Sequence, residues 1–226
     1  MLFVDRRDAG QQLGQRLDRY RGHDALVLGI PRGGVVVAAE VARHLKAPLD
    51  VIVPRKIGAP HNPELAVGAL APDGTAAFDP VLLRYFGYSE ETLAGAVEMQ
   101  REEMERRLRL YRGDRKPPVI ADRTVIVVDD GVATGFTVTA ALRALRNEGP
   151  STLVLAVPVA PPEVAPALRQ EVDDFVCLAL PQPFYAVGQF YQCFDETRDA
   201  EVIALLNALA SGNGHPARRG ERGCRE

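Results

Sequence analysis

The sequence lacks any hydrophobic run that approaches the roughly 18 apolar residues of a membrane span. Its first residues, MLFVDRRDAG, have no basic segment followed by a long apolar stretch and a small-residue cleavage site, so they do not resemble a secretory signal. It has only three cysteines, and none of them forms a CxxC pair of the kind that binds zinc. These absences predict a cytoplasmic protein with no membrane partner.

An excess of positive charge is also absent, because the formal net charge is −3 at pH 7. This balance gives no global attraction to nucleic acid, so we expect no nucleic-acid partner. A length of 226 residues, with 46% hydrophobic and 25% charged residues, fits one globular domain. We predict that residues 1–210 form this domain and that the Gly- and Arg-rich residues 211–226 form a disordered tail.

Short apolar runs alternate with helical patterns along the chain. ALVLGI, LDVIVP, TVIVVDD, TLVLAVPVA and DFVCLAL have the length and aliphatic content of buried strands. Between them, apolar residues recur at helical spacing, as at Val35, Ala38, Ala42 and Leu45. Because a helical crossover returns the chain in the same direction, this pattern predicts a doubly wound α/β fold with a mainly parallel sheet flanked by helices.

Two stretches depart from that alternation. Residues 55–63 are rich in Pro, Gly, His and Asn and predict a mobile loop. Residues 65–78 then predict a small hairpin around a Pro-Asp-Gly sequence. Residues 89–112 carry apolar positions at helical spacing on a heavily charged background, which predicts one long amphipathic helix inserted into the domain.

The segment VIVVDDGVATGFTVT, residues 125–139, carries the chemistry. Its aliphatic residues place the following turn at the carboxyl end of a buried strand, where open α/β sheets bind ligands. Its glycines permit tight turns and close backbone approach, while Thr134, Thr137 and the free amides of the next helix can surround a phosphate. The segment is therefore predicted to be an anion-binding turn.

Two adjacent carboxylates, Asp129 and Asp130, precede that turn. They would repel a phosphate directly, so we expect them to face neutral hydroxyls or a hydrated divalent cation. A sugar phosphate satisfies both requirements. The segment has neither the GxxxxGK(S/T) pattern of ATPases nor the GxGxxG pattern of dinucleotide-binding proteins, which disfavours both classes.

The segment closely resembles the signature of the type I phosphoribosyltransferases, which is an aliphatic strand, an acidic pair and a Thr-Gly-x-Thr loop. The resemblance implies that fold, with 5-phosphoribosyl 1-pyrophosphate (PRPP) as a substrate and Mg²⁺ as a cofactor. It implies that Asp129 and Asp130 contact the ribose 2- and 3-hydroxyls and hold Mg²⁺ indirectly, through those hydroxyls or water. The residues that it assigns to the 5-phosphate are Ala133, Thr134, Gly135, Phe136 and Thr137.

Two further basic segments match the same family. The GIPRGG turn after the first strand lies where the family binds pyrophosphate, which implies this role for Arg32, Gly33 and Gly34. A tight strand-to-helix turn with an exposed arginine is the alternative. Arg55 and Lys56 follow the second strand, where related enzymes carry basic residues that close on the departing pyrophosphate. A solvated basic surface is the alternative there.

The resemblance also implies a base-binding hood at residues 181–197, in which Phe184, Tyr185 and Val187 contact the base. Ordinary core aromatics under a long loop are the alternative. The 6-oxopurine enzymes of the family read the purine carbonyl with a lysine beyond the phosphate loop. The last lysine here is Lys116, which disfavours hypoxanthine or guanine as the acceptor. A homodimer is expected from the resemblance alone.

The expected function is therefore a phosphoribosyltransferase of nucleotide or nucleoside metabolism, which transfers the phosphoribosyl group from PRPP to a small nitrogenous base and releases pyrophosphate. A PRPP-responsive sensor that uses the same pocket without efficient transfer remains an alternative. A phosphatase or kinase acting on sugar phosphates fits less well, because the sequence has no convincing nucleophile or nucleotide-binding loop.

Overall fold

The computed structural model describes residues 2–70 and 74–209. The strands are β1 (Ala25–Gly29), β2 (Leu49–Val51), β3 (Arg55–Ala59), β4 (Asn62–Leu70), β5 (Ala76–Phe78), β6 (Thr124–Val128), β7 (Thr152–Val159) and β8 (Asp174–Ala179). The α-helices are α1 (Arg6–Arg16), α2 (Gly33–Leu45), α3 (Pro80–Phe86), α4 (Glu90–Arg112), α5 (Phe136–Asn147), α6 (Ala165–Gln170) and α7 (Asp199–Leu209). The predicted tail, residues 211–226, lies outside the described residues. Within the described ranges, no helix combines the length and the apolar character needed to cross a membrane.

Five parallel strands form the central sheet in the order β2-β1-β6-β7-β8. β1 and β2 are buried along their whole length, and β6 and β7 are buried after their first residue. Strands covered on both faces are near-continuous aliphatic runs, and for this reason the sequence predicts them well. The mainly parallel sheet flanked by helices is confirmed. The strand order reverses between β1 and β6, and such a switch point is where open sheets bind ligands.

Alternate residues of the central strands pack into two separate cores. Val27, Ile126 and Val154 pack on the side of α1, α2, α4 and α7. Their neighbours Val127 and Leu155 pack on the other side, with α5 and α6. Successive side chains of a strand point to opposite faces, so a strand that is apolar at every position needs helices on both sides. The two cores hold the carboxyl ends of β1 and β6 in a rigid frame.

β3, β4 and β5 form a second, antiparallel sheet. The mobile loop predicted for residues 55–63 is wrong, because this stretch contains β3 and the start of its partner β4. Ile57 and Val67 on the paired strands are fully buried and join the core on the α4 side. The loop prediction followed composition, whereas burial of these side chains against α4 decides the structure. The hairpin predicted for residues 65–78 is confirmed by the pairing of β4 with β5, although residues 71–73 of its turn are not described.

The long amphipathic helix predicted for residues 89–112 corresponds to α4. Ser89 and Thr92 form a reciprocal cap, in which each side-chain oxygen accepts a hydrogen bond from the other residue's amide at 3.3 and 3.0 Å. Leu93, Met104 and Tyr111 are buried along one face. The helix packs against β3 and α7, and it thereby anchors the small sheet beside the central one.

Gly95→Ala in α4 is expected to stabilise the protein. A Cβ atom at Gly95 would meet no heavy atom within 4 Å. Alanine reduces the freedom of the unfolded chain there without a clash, so the free energy of unfolding should rise by about 0.5–1 kcal/mol. Urea unfolding followed by circular dichroism measures the change. A lower unfolding midpoint would contradict the open surroundings of this position.

Residues 2–4, which we call the N-terminal strap, run beside residues 190–193. The amides of Leu2 and Phe3 donate to the carbonyl of Phe190 at 2.8 and 3.0 Å. Two amides of the second segment donate back to the strap at 2.9 Å. This pairing holds the start of α1 close to the carboxyl end of β6.

Candidate active site

The acidic pair, Asp129 and Asp130, directly follows β6. Asp129 Oδ1 accepts a hydrogen bond from the Asp130 amide at 2.8 Å, and Asp130 Oδ2 accepts one from Nε of Arg6 at 2.7 Å. The Tyr191 hydroxyl donates to the Asp130 carbonyl at 2.6 Å. The other oxygen of each carboxylate accepts no hydrogen bond from a backbone amide or a basic or hydroxyl side chain of the described part of the chain, although the two carboxyl groups contact each other. Two carboxylate oxygens are therefore left for a ligand.

Burial dominates the electrostatics of the acidic pair. It raises the pKa of Asp129 well above its usual range, and the neighbouring charge of Asp130 raises that pKa further. Burial also raises the pKa of Asp130, although the charge and the hydrogen bond of Arg6 oppose the shift. Hydroxyl donors from a ligand would stabilise both carboxylates in the ionised form. The pair is thus suited to accept hydrogen bonds from a sugar.

Gly33 and Gly34 begin α2 and lie directly against the acidic pair. A Cβ atom built on Gly33 would lie 1.9 Å from Asp130 Oδ2, and one built on Gly34 would lie 2.7 Å from Asp129 Oδ1. A side chain at either position would therefore collide with a carboxylate. The turn also contains a cis peptide bond between Pro31 and Arg32. The backbone of this turn and the acidic pair together form one wall of the site.

The turn between β6 and α5 is open to solvent. Gly135, at φ +80°, directly precedes the 12-residue helix α5. Ala133, Thr134 and Phe136 are exposed, and the first turn of α5 contains no acidic residue. The unpaired amides at the start of a helix of this length attract anions. This end of the site is suited to a phosphate.

Two cavities adjoin these elements. The first, which we call the acidic-pair cavity, measures about 500 Å³ and lies at the carboxyl ends of β1 and β6. Its walls include Arg6, Arg32, Gly33, Asp129, Asp130 and Phe194. The second, the β3 cavity, measures about 410 Å³ and lies between β3, α4 and the start of α5. Its walls include Arg55, Lys56, Gln100 and Thr137. The acidic pair, Arg32 and Gly33 therefore share one cavity, while Arg55, Lys56 and Thr137 share the other.

Two of the predicted arginines are held by side chains outside the sequence motifs. Arg32 forms an ion pair with Glu196 in the acidic-pair cavity. Arg55 donates from Nε to Oε1 of Gln100 at 2.9 Å. Burial lowers the pKa of Arg55, and the positive charge of Arg107 lowers it further. A half-buried cation beside another cation is stabilised by an incoming anion.

The three residues predicted to bind the base are not among those that line the acidic-pair cavity. Phe184 packs against a buried phenylalanine, with ring centres 4.9 Å apart, while Tyr185 is 85% exposed. Val187 lies against Gly131, where an added Cβ atom would be 2.5 Å from Val187 Cγ1. The aromatic side chain that does line the cavity is Phe194. The base-binding role of the three residues stays a prediction.

Phe194, Glu196 and Thr197 line the acidic-pair cavity and fall within the predicted hood at residues 181–197, although no role was predicted for them individually, whereas Arg6 lies outside every predicted segment. Arg6 follows a capping aspartate at the start of a helix, and in the sequence it reads as an ordinary first-turn residue. The three hood residues lie in an irregular segment, and their proximity to the acidic pair identifies them individually. The complete arrangement is a cavity at the switch point of an α/β sheet, lined by the acidic pair and two arginines.

Comparison with known proteins identifies the family to which this α/β protein belongs. The family model for the phosphoribosyl transferase domain matches residues 7–184. Proteins from two strains of Mycobacterium tuberculosis, assigned by name to the phosphoribosyl transferases, are 44% identical over 206 residues, which is 91% of this chain and 46% of theirs. The chain thus spans about half the length of these curated relatives. The crystal structure of the protein TT1426 from Thermus thermophilus is 44% identical, covers 93% of this chain and 100% of its own, and superposes with a TM-score of 0.81.

The chain belongs to the phosphoribosyl transferase family and has the type I fold. The family resemblance of the segment at residues 125–139 is therefore confirmed.

Proposed function

We propose that the protein transfers the 5-phosphoribosyl group of PRPP to a nitrogenous base and releases pyrophosphate. The observation that carries this proposal is the contact between the acidic pair and the Gly33–Gly34 turn within one cavity. It puts two available carboxylate oxygens beside a stretch of backbone that a pyrophosphate can approach. A ribose with two adjacent hydroxyls and a pyrophosphate on C1 has the complementary arrangement of donors and negative charge.

The proposed roles combine the walls of the two cavities with the turn before α5 and the predicted hood. Asp129 and Asp130 accept hydrogen bonds from the ribose hydroxyls, and Arg32 with the two glycines binds the pyrophosphate. The 5-phosphate binds at Ala133, Thr134, Gly135, Phe136 and Thr137. Arg55 and Lys56, which share the β3 cavity with Thr137, neutralise the departing pyrophosphate. The base binds under the hood at Phe184, Tyr185 and Val187.

The transfer needs positioning more than covalent catalysis. The bond from C1 to the pyrophosphate oxygen breaks, and its electron pair leaves with the pyrophosphate. A nitrogen of the base forms the new bond to C1 from the opposite face. The basic side chains stabilise the leaving group, and the acidic pair fixes the sugar. Asp130 can accept the proton that the base nitrogen loses.

The proposal includes Mg²⁺ as a cofactor, and the side chains of Asp129 and Asp130 are suited to hold it. Among the described residues, no group of three His, Cys, Asp or Glu side chains could hold a metal ion. Mg²⁺ is commonly held by one or two carboxylates together with substrate phosphates and water, so two adjacent aspartates suffice. When bound, the ion neutralises charge on the pyrophosphate. Asp129 and Asp130 would hold it through the ribose hydroxyls or water.

A PRPP-binding sensor is a second candidate, and one observation favours it. The guanidinium of Arg32 is already paired with Glu196. If this pair persists when PRPP binds, Glu196 neutralises the charge of Arg32, the departing pyrophosphate is stabilised less, and the protein would bind PRPP with little transfer. The homodimer, the cytoplasmic location, the role in nucleotide metabolism and the nature of the base stay predictions.

Titration calorimetry with PRPP, with and without Mg²⁺, tests the proposal. We expect Mg²⁺-dependent binding to the intact protein and a loss of at least tenfold in affinity in the double variant Asp129→Asn/Asp130→Asn, because hydrogen bonds to carboxylates are lost. Asp24→Asn is a matched control, since Asp24 is 73% exposed and precedes β1 at the opposite end of the sheet.

Pyrophosphate release in the presence of candidate bases separates the two functions. Release with one base identifies a transferase and its acceptor. Binding without release from any purine or pyrimidine base supports the sensor. If the intact protein binds no PRPP with Mg²⁺ present, both functions are wrong.

A further inference from the structure

Arg6 contacts three parts of the site, although it lies just outside the residues matched by the family model. Its Nε donates to Asp130 Oδ2 at 2.7 Å, and its Nη1 donates to the carbonyl of Asp195 at 2.7 Å. Its guanidinium carbon lies 3.8 Å from the ring centre of Phe194. The side chain is only 12% exposed. These contacts fix the guanidinium in the wall of the acidic-pair cavity.

The position of Arg6 determines which oxygen of Asp130 is available. Asp130 Oδ2 lies between Arg6 and Gly33, because a Cβ atom built on Gly33 would be 1.9 Å from this oxygen and 2.6 Å from Arg6 Nε. Oδ2 is therefore held by Arg6, while no backbone amide and no basic or hydroxyl side chain of the described chain donates to Oδ1. Without the guanidinium, rotation of the carboxylate would no longer be restrained on that side.

We propose that Arg6 is a positioning residue for ribose recognition, which holds Asp130 so that Oδ1 accepts a hydrogen bond from a sugar hydroxyl. This inference rests on the proposed function, because it takes the acidic pair as the ribose site. Arginine suits the role, since its planar fork can donate to two acceptors in fixed directions. A lysine keeps the charge but cannot donate to both acceptors with this geometry.

The neighbouring arginine provides a matched control. Arg7 lies in the same helical turn, but its side chain is 55% exposed and its nitrogen lies 3.9 Å from the Glu201 carboxylate. Arg7→Ala and Arg6→Ala remove the same charge from the same helix. Only Arg6→Ala removes a contact to the acidic pair. A difference between the two variants therefore reports on that contact rather than on net charge.

The test measures hydroxyl recognition without relying on turnover. Calorimetry gives the affinities of the wild type, Arg6→Ala, Arg7→Ala and Arg6→Lys for ribose 5-phosphate and for its 2-deoxy and 3-deoxy analogues. The wild type should prefer ribose 5-phosphate over each analogue by about tenfold or more, because a hydrogen bond to a carboxylate is lost. Arg6→Ala should lose the preference for one hydroxyl, Arg7→Ala should keep both, and Arg6→Lys should recover part of it.

The outcomes distinguish the inference from the function on which it rests. If the wild type shows no preference for ribose 5-phosphate, the acidic pair is not a ribose site and the proposed function fails. If the wild type shows the preference and Arg6→Ala keeps it, even with weaker binding of all three ligands, Arg6 has only a structural role and the inference is wrong. Should Arg6→Ala not fold, a full preference in Arg6→Lys overturns the inference and a reduced preference supports it.

Discussion

Asp129→Asn is expected to weaken PRPP binding by at least tenfold and at the same time to raise the thermal unfolding midpoint (Tm) at pH 7. The asparagine Oδ1 can still accept the hydrogen bond from the Asp130 amide. The substitution removes a carboxylate whose pKa burial raises well above the usual range. Ionisation in that setting destabilises the folded protein, so we expect the variant to unfold at a higher Tm than the wild type.

The gain has a defined pH dependence. Because the folded-state pKa of Asp129 lies above its unfolded value, its contribution to stability is full below about pH 4 and is lost as pH rises through the folded pKa. Asparagine does not titrate, so the difference in Tm should be largest at neutral pH and should vanish near pH 4. Scanning calorimetry of both proteins across this range measures it. A difference that grows on acidification would contradict the assignment.

Asp130→Asn is the matched comparison within the acidic pair. It also removes a carboxylate with a raised pKa, but it forfeits the ion pair with Arg6, which opposes that rise. Its gain in Tm should therefore be smaller than that of Asp129→Asn. Both substitutions should weaken PRPP binding by at least tenfold. A larger gain for Asp130→Asn would show that the ion pair with Arg6 does not stabilise the fold.

Gly34→Ala should both destabilise the protein and eliminate PRPP binding. A Cβ atom at Gly34 would lie 2.8 Å from Asp129 Cα and 3.0 Å from the Val128 carbonyl oxygen. These are backbone atoms of the core strand β6 and the residue that follows it, so α2 and β6 must move apart to accommodate the methyl group. We expect a loss of about 1–3 kcal/mol in the free energy of unfolding. Urea denaturation and PRPP calorimetry on the same variant measure the two effects.

Gly33→Ala and Gly95→Ala serve as controls for that result. At Gly33 the nearest atoms belong to the side chains of Asp130 and Arg6, which can rotate away, so binding should suffer more than stability. At Gly95 there is no neighbour, and the same glycine-to-alanine change should stabilise. If Gly34→Ala folds with wild-type stability and binds PRPP, then close contact between the Gly33–Gly34 turn and the acidic pair is required neither for stability nor for PRPP binding.

The sequence predicts the central sheet because its strands lie in short, mainly apolar runs flanked by helical periodicity. It fails at β3 because a hairpin rich in Pro, Gly and Asn has the composition of a loop, and only burial of Ile57 against the α4 side makes it a sheet. Two helices, α3 and α7, were not predicted. α3 has only seven residues and buries none of them, which leaves no periodic pattern to detect, whereas α7 packs against α2 and α4, which are distant in the chain.

The acidic pair and the phosphate-binding turn could be predicted because their residues are contiguous and their chemistry is local. Arg6 could not, since it pairs with Asp130 across 124 residues of sequence. The same holds for Glu196, which reaches Arg32 from 164 residues away. A sequence motif identifies site residues that lie in one turn of the chain. The residues of opposite charge that pair with them are brought there by the fold of the whole domain, so the motif does not reveal them.

The N-terminal strap has a consequence for the order of folding. Its hydrogen bonds join residues 2–4 to residues 190–193, so they close a loop that spans nearly the whole described chain. Contacts of such high sequence separation form late, because closing the loop is entropically unfavourable until the intervening elements have condensed. Arg6 is therefore synthesised long before Phe194 and the Asp195 carbonyl that help to hold it. We expect the central sheet to fold first and ligand-binding competence to appear in a slower, final kinetic phase.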